Sequence, residues 1–230
     1  GPGNTNLFLA LMRVAAVGND PLLALGATLG RAVGDEVLDA QRGAIYAEAS
    51  RRSLALGDPC AAAVHLSRAS AHGVDADVVH DIAPEIREGL AHLAPDERSD
   101  TLLALGRAEA WASEERSEDE AAAAWRQLGA LRFDLAEDTE GADEAFFAGA
   151  IIDPDHGPFR YAQDLHHRLG SERALARIVE RALQAEQERH GPLCGRLYAA
   201  AARIAVDAGR NDLALDAAVA SVRADASRGD

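Results

Sequence analysis

Apolar residues recur along most of the chain at spacings of three and four, and polar residues fill the positions between them. A clear example is the run 174–183, where alanine, leucine, isoleucine and valine form one stripe beside charged residues. This period is that of an amphipathic helix with one apolar face to bury, and no run has the period-two alternation of a strand. The pattern therefore predicts an all-α protein.

Gly, Asp and Pro mark short turns between the predicted helices. Asp20-Pro21 and Asp58-Pro59 each place an N-cap before a proline in the first helical turn, and Gly157-Pro158 and Gly191-Pro192 mark two further starts. Pro84 falls inside a predicted helix and should kink or restart it. Together the signals predict twelve helices, at 4–17, 20–33, 35–56, 59–72, 75–93, 96–115, 117–136, 139–152, 158–169, 171–189, 192–208 and 211–225.

Consecutive helices pair into six antiparallel hairpins because the turns between them are short. The hairpins begin near residues 4, 35, 75, 118, 158 and 192, so their spacing is about 31 to 43 residues. Such a period is typical of helical repeat arrays, in which each hairpin covers the apolar stripe of its neighbour. We predict an α-solenoid of about six antiparallel helical hairpins over residues 4–225.

One stretch of the chain has a recognisable order of aromatic and small residues, namely Trp125, Leu128, Gly129, Phe133, Ala142, Phe146, Gly149 and Pro154. This pattern resembles the tetratricopeptide repeat, in which an aromatic-Leu-Gly first helix crosses a second helix with small residues. One extra residue before Phe133 departs from that pattern and leaves Arg132 where an aromatic is expected. Residues 198–221 and 46–69 carry degenerate forms, and 161–178 fits loosely.

The resemblance implies a right-handed superhelix that binds a partner polypeptide in a groove lined by the first helix of each hairpin. The groove positions on this chain include four arginines, which would suit a peptide with acidic side chains or a terminal carboxylate. The open alternative is that these arginines pair with neighbouring acids such as Glu48, Asp164 and Asp207. Carried over to this chain, the groove positions are Arg51, Arg126, Phe133, Phe159, Gln163, His166, Arg196, Arg203 and Val206.

The charge of the chain narrows the classes of partner and of chemistry. Its net charge is −15, all 23 basic residues are arginine, and lysine is absent. Nucleic acid and anionic membranes need a basic surface, so we expect neither as the main partner. Without lysine there is no Walker A, Schiff-base or kinase-type lysine chemistry.

We expect neither catalysis nor a metal or other cofactor. No esterase, zincin or phosphate-loop motif is present, and Cys60 and Cys194 lie too far apart in sequence to form a CxxC motif. His65 and His72 are seven residues apart, whereas helical metal ligands share an ion at i,i+3 or i,i+4. The acidic runs at 114–120 and 137–144 flank helix starts, so we interpret them as solvated turns.

Further expectations concern the ends of the chain, its location and its partners. Gly1-Pro2-Gly3 resembles a protease-cleavage scar, and we expect residues 226–230 to form a disordered polar tail. The sequence has no transmembrane stretch, so a cytoplasmic location is expected. The helix at 4–17 carries the apolar residues Leu7, Phe8 and Met12, which predict a homodimer contact through this helix. An alternative to a scaffold is a ligand-sensing regulatory domain of a larger multidomain bacterial protein.

Overall fold

The computed structural model describes residues 20–32, 39–188 and 190–226, and within these ranges the fold is all-α with no strand. A short 3₁₀ turn, Leu90–His92, follows the fourth helix. The helices are α1 (Pro21–Ala32), α2 (Asp39–Ala55), α3 (Pro59–Ala71), α4 (Ala76–Gly89), α5 (Pro95–Ser113), α6 (Glu118–Ala136), α7 (Thr139–Ile152), α8 (Gly157–Leu169), α9 (Ser171–Gln187), α10 (Gly191–Asp207) and α11 (Asn211–Ala226).

The predicted helix starts are confirmed at the Asp-Pro turns. The Asp20 carboxylate accepts the backbone N–H of Leu22 at 3.0 Å, and the Asp58 carboxylate accepts that of Ala61 at 2.9 Å. The following prolines occupy the first turn of α1 and α3, where their missing N–H costs no hydrogen bond. Short polar caps therefore set the beginnings of these helices as the sequence predicts.

Two predictions about the helices have a different outcome. The helix predicted at 4–17, and with it the homodimer contact there, lies outside the described residues. Pro84 does not restart its helix: α4 runs through it from Ala76 to Gly89. Burial of Val79, Ile82 and Ile86 on one face of α4 holds the helix together across the bond that proline removes.

The described residues fall into two compact units, the first within 1–117 and 134–137 and the second within 118–133 and 138–230. In the first unit each helix from α1 to α5 packs on the next, and α3 also packs along α5. Alanines fill much of this contact and let the helices approach closely. The larger side chains at its centre are Leu66, Val79, Ile82, Ile86 and Leu105.

An aromatic stack lies inside the first unit. The Tyr46 ring stacks on His72 with centroids 5.7 Å apart and on His65 with centroids 6.4 Å apart. His65 is buried, and burial, followed by the nearby Arg68 charge, lowers the pKa of its imidazole. His65 and His72, which stand seven residues apart, thus flank one aromatic ring.

The second unit packs α7 on α8, α8 on α9, α9 on α10 and α10 on α11, and α8 also contacts α10. Its core combines alanines with large side chains, among them Phe146, Phe147, Tyr161, Ile178 and Leu197. The first helices of two successive hairpins, α8 and α10, therefore lie side by side within this unit.

Glycines bring α6 and α7 close together within the second unit. A Cβ on Gly129 would lie 2.6 Å from a ring carbon of Phe146, and one on Gly149 would lie 2.9 Å from the Ala122 carbonyl oxygen. Contacts that short are not tolerated, so both positions need glycine. Close packing of α6 on α7 thus explains why two positions that carry the resemblance of 125–154 are glycines.

The interpretation of the acidic run at 137–144 as solvated is wrong for Asp143, which is buried. Its side chain is 1% exposed and accepts the Tyr161 hydroxyl at 2.6 Å. The Arg181 guanidinium donates to the same carboxylate at 2.6 and 3.0 Å and lies 4.8 Å from the centre of the Phe147 ring. Because Asp143 falls on the inner face of α7, its charge is paired rather than hydrated.

Other chemical classes can be examined over the described ranges. None of the helices there combines the length and the apolarity needed to cross a bilayer. No group of three or more His, Cys, Asp or Glu side chains in those ranges is placed to hold a metal ion. Cys60 and Cys194 are both free thiols, and Thr101 donates its hydroxyl to the Cys60 sulfur at 3.2 Å.

Candidate binding groove

Four of the predicted groove residues line one cleft within the second unit. Phe159, Gln163 and His166 stand on α8 at i, i+4 and i+7, so they share one face of that helix. Arg203 projects from α10 on the opposite side. The α8/α10 cleft has a volume of about 180 Å³, and its remaining lining residues are Ala162, Ala200, Ile204 and Asp207.

The α8/α10 cleft combines apolar and hydrogen-bonding groups. Phe159 and Ile204 supply apolar surface, while the exposed Gln163 amide offers both a donor and an acceptor. His166 Nε2 lies 3.0 Å from the Ser171 hydroxyl, which orients its ring. A backbone and two or three side chains of an extended peptide match such a mixture.

Arg203 is the cation of the α8/α10 cleft. Its side chain is exposed, and no described residue forms an ion pair or hydrogen bond with it, although Asp207 lies one turn further along α10. A guanidinium offers five donors in a planar fork that matches a carboxylate. Arg203 can therefore engage an incoming acid without first breaking a contact among the described residues.

Arg126 and Arg196 are engaged inside the second unit instead. Arg126 Nε donates to the Asp164 carboxylate at 2.7 Å, which is the internal pairing left open from the sequence. Arg196 donates to the Pro154 carbonyl and pairs with Asp155, so it fastens the turn before α8. For these two arginines the internal role has direct geometric support.

The remaining predicted positions are not gathered at the α8/α10 cleft. Phe133 packs partly buried against the core of the second unit, with the Arg168 guanidinium carbon 6.0 Å from its ring centre. Val206 is 58% exposed on α10. Arg51 is exposed on α2 of the first unit, where Glu48 pairs with Arg52 rather than with Arg51.

A second, larger cleft lies between α9 and α11 with α10 as its floor. This α9/α11 cleft has a volume of about 560 Å³ and is lined mainly by apolar side chains, including Leu175, Val179, Leu213 and Ala217. Arg210 stands at its mouth, 3.9 Å from Glu172 and 3.8 Å from Asp212. Leu175 and Val179 belong to the apolar stripe at 174–183, and Leu213 and Ala217 repeat their i,i+4 spacing, but the sequence alone assigns these residues to packing and not to a cleft.

Comparisons with known proteins gave no relative. The scan against protein-family models, the search of curated proteins and the search of solved structures each returned no match.

Proposed function

We propose that this chain is a non-enzymatic interaction module that binds a partner polypeptide along a groove of first helices, in a solenoid of tetratricopeptide type. The observation that carries this proposal is the convergence of residues from two successive hairpins on the α8/α10 cleft. The resemblance alone assigns four of these residues to the groove, and all four line the α8/α10 cleft: Phe159, Gln163, His166 and Arg203.

The chemistry of the α8/α10 cleft favours an extended segment with an acidic side chain beside an apolar one. Arg203 is the group suited to the acid, and Phe159 with Ile204 forms the apolar wall. Gln163 suits the peptide backbone, because its amide can donate and accept at once. A volume of about 180 Å³ is small for a metabolite site, for which about 300–1,000 Å³ is usual.

Peptide selection tests this proposal directly, because a displayed library samples many sequences and requires no candidate partner. Wild-type protein is panned against the library, and the enriched peptides are re-tested on Arg203→Glu. The matched control is Arg173→Glu, which makes the same charge change on exposed α9 surface away from the cleft. We expect enriched peptides with an acid next to an apolar residue, bound by wild type and the control but not by Arg203→Glu.

Two results would count against the proposal. One is the absence of any enriched peptide, and the other is a set of peptides whose binding is unaffected by Arg203→Glu. In the second case the protein would bind polypeptides through a different surface.

A ligand-sensing regulatory domain is the second candidate function, and the α9/α11 cleft favours it. Its volume of about 560 Å³ and its apolar walls are those of a small-molecule site. Leu213→Arg would fill this cleft with a charge and should abolish ligand-induced thermal stabilisation while leaving peptide binding intact. A panel of apolar metabolites that never raises the melting temperature would argue against this candidate.

A further inference from the structure

The C-terminal helix α11 carries a second apolar face that no described residue covers. Leu215, Val219 and Val222 are 66%, 40% and 68% exposed. At 100° per residue they lie within about 60° of one another around the helix. The opposite side of α11 is buried against the second unit through Ala214 and Ala217, so this helix is apolar on two sides.

The spacing of the exposed residues is that of a helix-pairing seam. Positions 215, 219 and 222 follow the alternating four and three of a heptad, with Leu215 and Val222 at d and Val219 at a. These three residues form the α11 seam. A seam of little more than one heptad is short, so any contact that it makes alone should be weak and depend on concentration.

Charges beside the α11 seam indicate what covers it. Asp216 and Arg223 both occupy the e position, seven residues apart on one flank of the seam. Both side chains are exposed, and neither has an ion pair or hydrogen bond to any described residue. Facing charges at flanking positions of paired helices select the partner and its orientation.

In an antiparallel pair of identical helices, e positions of one copy face e positions of the other. With a two-fold axis near residue 220, Asp216 of each copy faces Arg223 of its partner, which gives two symmetric pairs of opposite charge. A parallel pair sets e against g, which is Ala218 here, and leaves the same charges unmatched. Complementarity of charge therefore favours one occupant, a second copy of this chain, in one orientation.

We propose that the protein forms a symmetric homodimer through antiparallel pairing of α11 along Leu215, Val219 and Val222. The interface is isologous, because the same patch of both copies meets across the axis. Its two charge pairs lie at the rim and set the orientation, while the apolar seam supplies most of the free energy. The proposal is independent of the α8/α10 cleft and of what binds there.

Sedimentation velocity across about 1 μM to about 1 mM protein tests the proposal, since that range brackets weak dimers. Wild type should shift from monomer to dimer within it. Asp216→Arg alone and Arg223→Asp alone each set like charges face to face, and each should raise the dimer dissociation constant about tenfold. The double variant Asp216→Arg/Arg223→Asp restores opposite pairs and should return the dissociation constant to within about threefold of wild type.

Two apolar substitutions locate the interface. Leu215→Ser should abolish the dimer, whereas Leu183→Ser, which alters an exposed leucine on α9, should leave it unchanged. Thermal unfolding of each variant verifies that it folds, and all of the changed side chains are exposed. The charge-reversal variants at Asp216 and Arg223 test the interface even if Leu215→Ser loses stability, because they leave the apolar side chains of the α11 seam unchanged.

Each remaining outcome overturns the proposal. A strict monomer at the highest concentration would mean that a different chain or segment covers the α11 seam. A dimer that survives Leu215→Ser, or one that is lost with Phe8→Ser/Met12→Ser instead, would place the interface elsewhere. Single reversals that weaken the dimer without rescue by the double variant would exclude the antiparallel register.

Discussion

Removal of Arg181 should destabilise the second unit strongly, because it leaves a buried carboxylate without its cation. Asp143 is 1% exposed, and Arg181 supplies two of the three hydrogen bonds that its oxygens accept from described residues. Breaking such a pair from one side costs about 3–5 kcal/mol, whereas an exposed pair contributes about 0–1 kcal/mol. We therefore expect Arg181→Met to lower the free energy of unfolding by about 3–5 kcal/mol.

The third hydrogen bond on Asp143 comes from Tyr161. Burial, and then the Asp143 charge, raise the pKa of the Tyr161 hydroxyl far above its ordinary value. That hydroxyl consequently stays protonated and keeps donating, but a neutral donor does not replace the guanidinium charge. Arg181→Met should therefore remain destabilising even with the Tyr161 hydrogen bond in place.

Urea denaturation followed by tryptophan fluorescence measures this loss in the second unit alone. Trp111 belongs to the first unit and Trp125 to the second, so a Trp111→Phe background leaves one reporter in the unit of interest. The matched control is Arg177→Met on the same helix, whose pair with Glu180 at 3.3 Å is largely exposed. It should cost less than about 1 kcal/mol.

A double variant separates the ionic contact from simple packing. Asp143→Leu/Arg181→Met replaces both charges with apolar groups and should recover much of the stability lost in either single variant. A loss below about 1 kcal/mol for Arg181→Met would refute the reasoning, since that is the value of a hydrated pair. A double variant whose loss of unfolding free energy equals the sum of the losses in Asp143→Leu and Arg181→Met would also refute it.

Three further predictions concern stability. Burial lowers the pKa of His65 below 6.5, so just below pH 6.5 the unfolded chain binds more protons than the folded protein does. The first unit should therefore lose stability as the pH falls through 6.5 toward the folded-state pKa. Urea melts at several pH values should show this dependence in wild type and a flatter one in His65→Phe. Gly129→Ala should cost about 1–3 kcal/mol by overpacking Phe146, and a simultaneous Phe146→Leu should recover part of it in thermal melts. On α2, Ser50→Ala should lose about 1 kcal/mol because its hydroxyl donates to a carbonyl at 2.8 Å in a buried hydrogen bond. Ser53→Ala should be neutral or stabilising, because its buried hydroxyl has no hydrogen-bond partner among the described residues. Equal losses of the two variants in denaturant melts would contradict this contrast.

The helices could be predicted closely because their ends depend on local chemistry. Asp20 and Asp58 cap helices through their own nearby backbone, so the sequence contains the whole interaction. Pro84 was harder, because whether a helix continues through proline depends on burial of Ile82 and Ile86 by other helices. Asp143 was harder for the same reason, since its partner Arg181 lies 38 residues away.

The candidate groove could be predicted in part. The i, i+4 and i+7 spacing places Phe159, Gln163 and His166 on one face of α8, which follows from helix geometry alone. The difference between Arg203 and Arg126 could not be obtained that way. Asp164 reaches Arg126 across a contact between helices, and sequence spacing does not report whether an acid is within reach.

The affinity of one selected peptide for three forms of the protein tests the central claim most directly. Isothermal titration gives the dissociation constant for wild type, for Arg203→Glu in the α8/α10 cleft, and for the Arg173→Glu control. A charge-assisted contact contributes about 1.5–3 kcal/mol, so we predict a dissociation constant at least tenfold higher for Arg203→Glu. The dissociation constant of the control should change less than about threefold. Equal affinity in all three forms, or equal losses in both variants, would contradict a polypeptide site between α8 and α10.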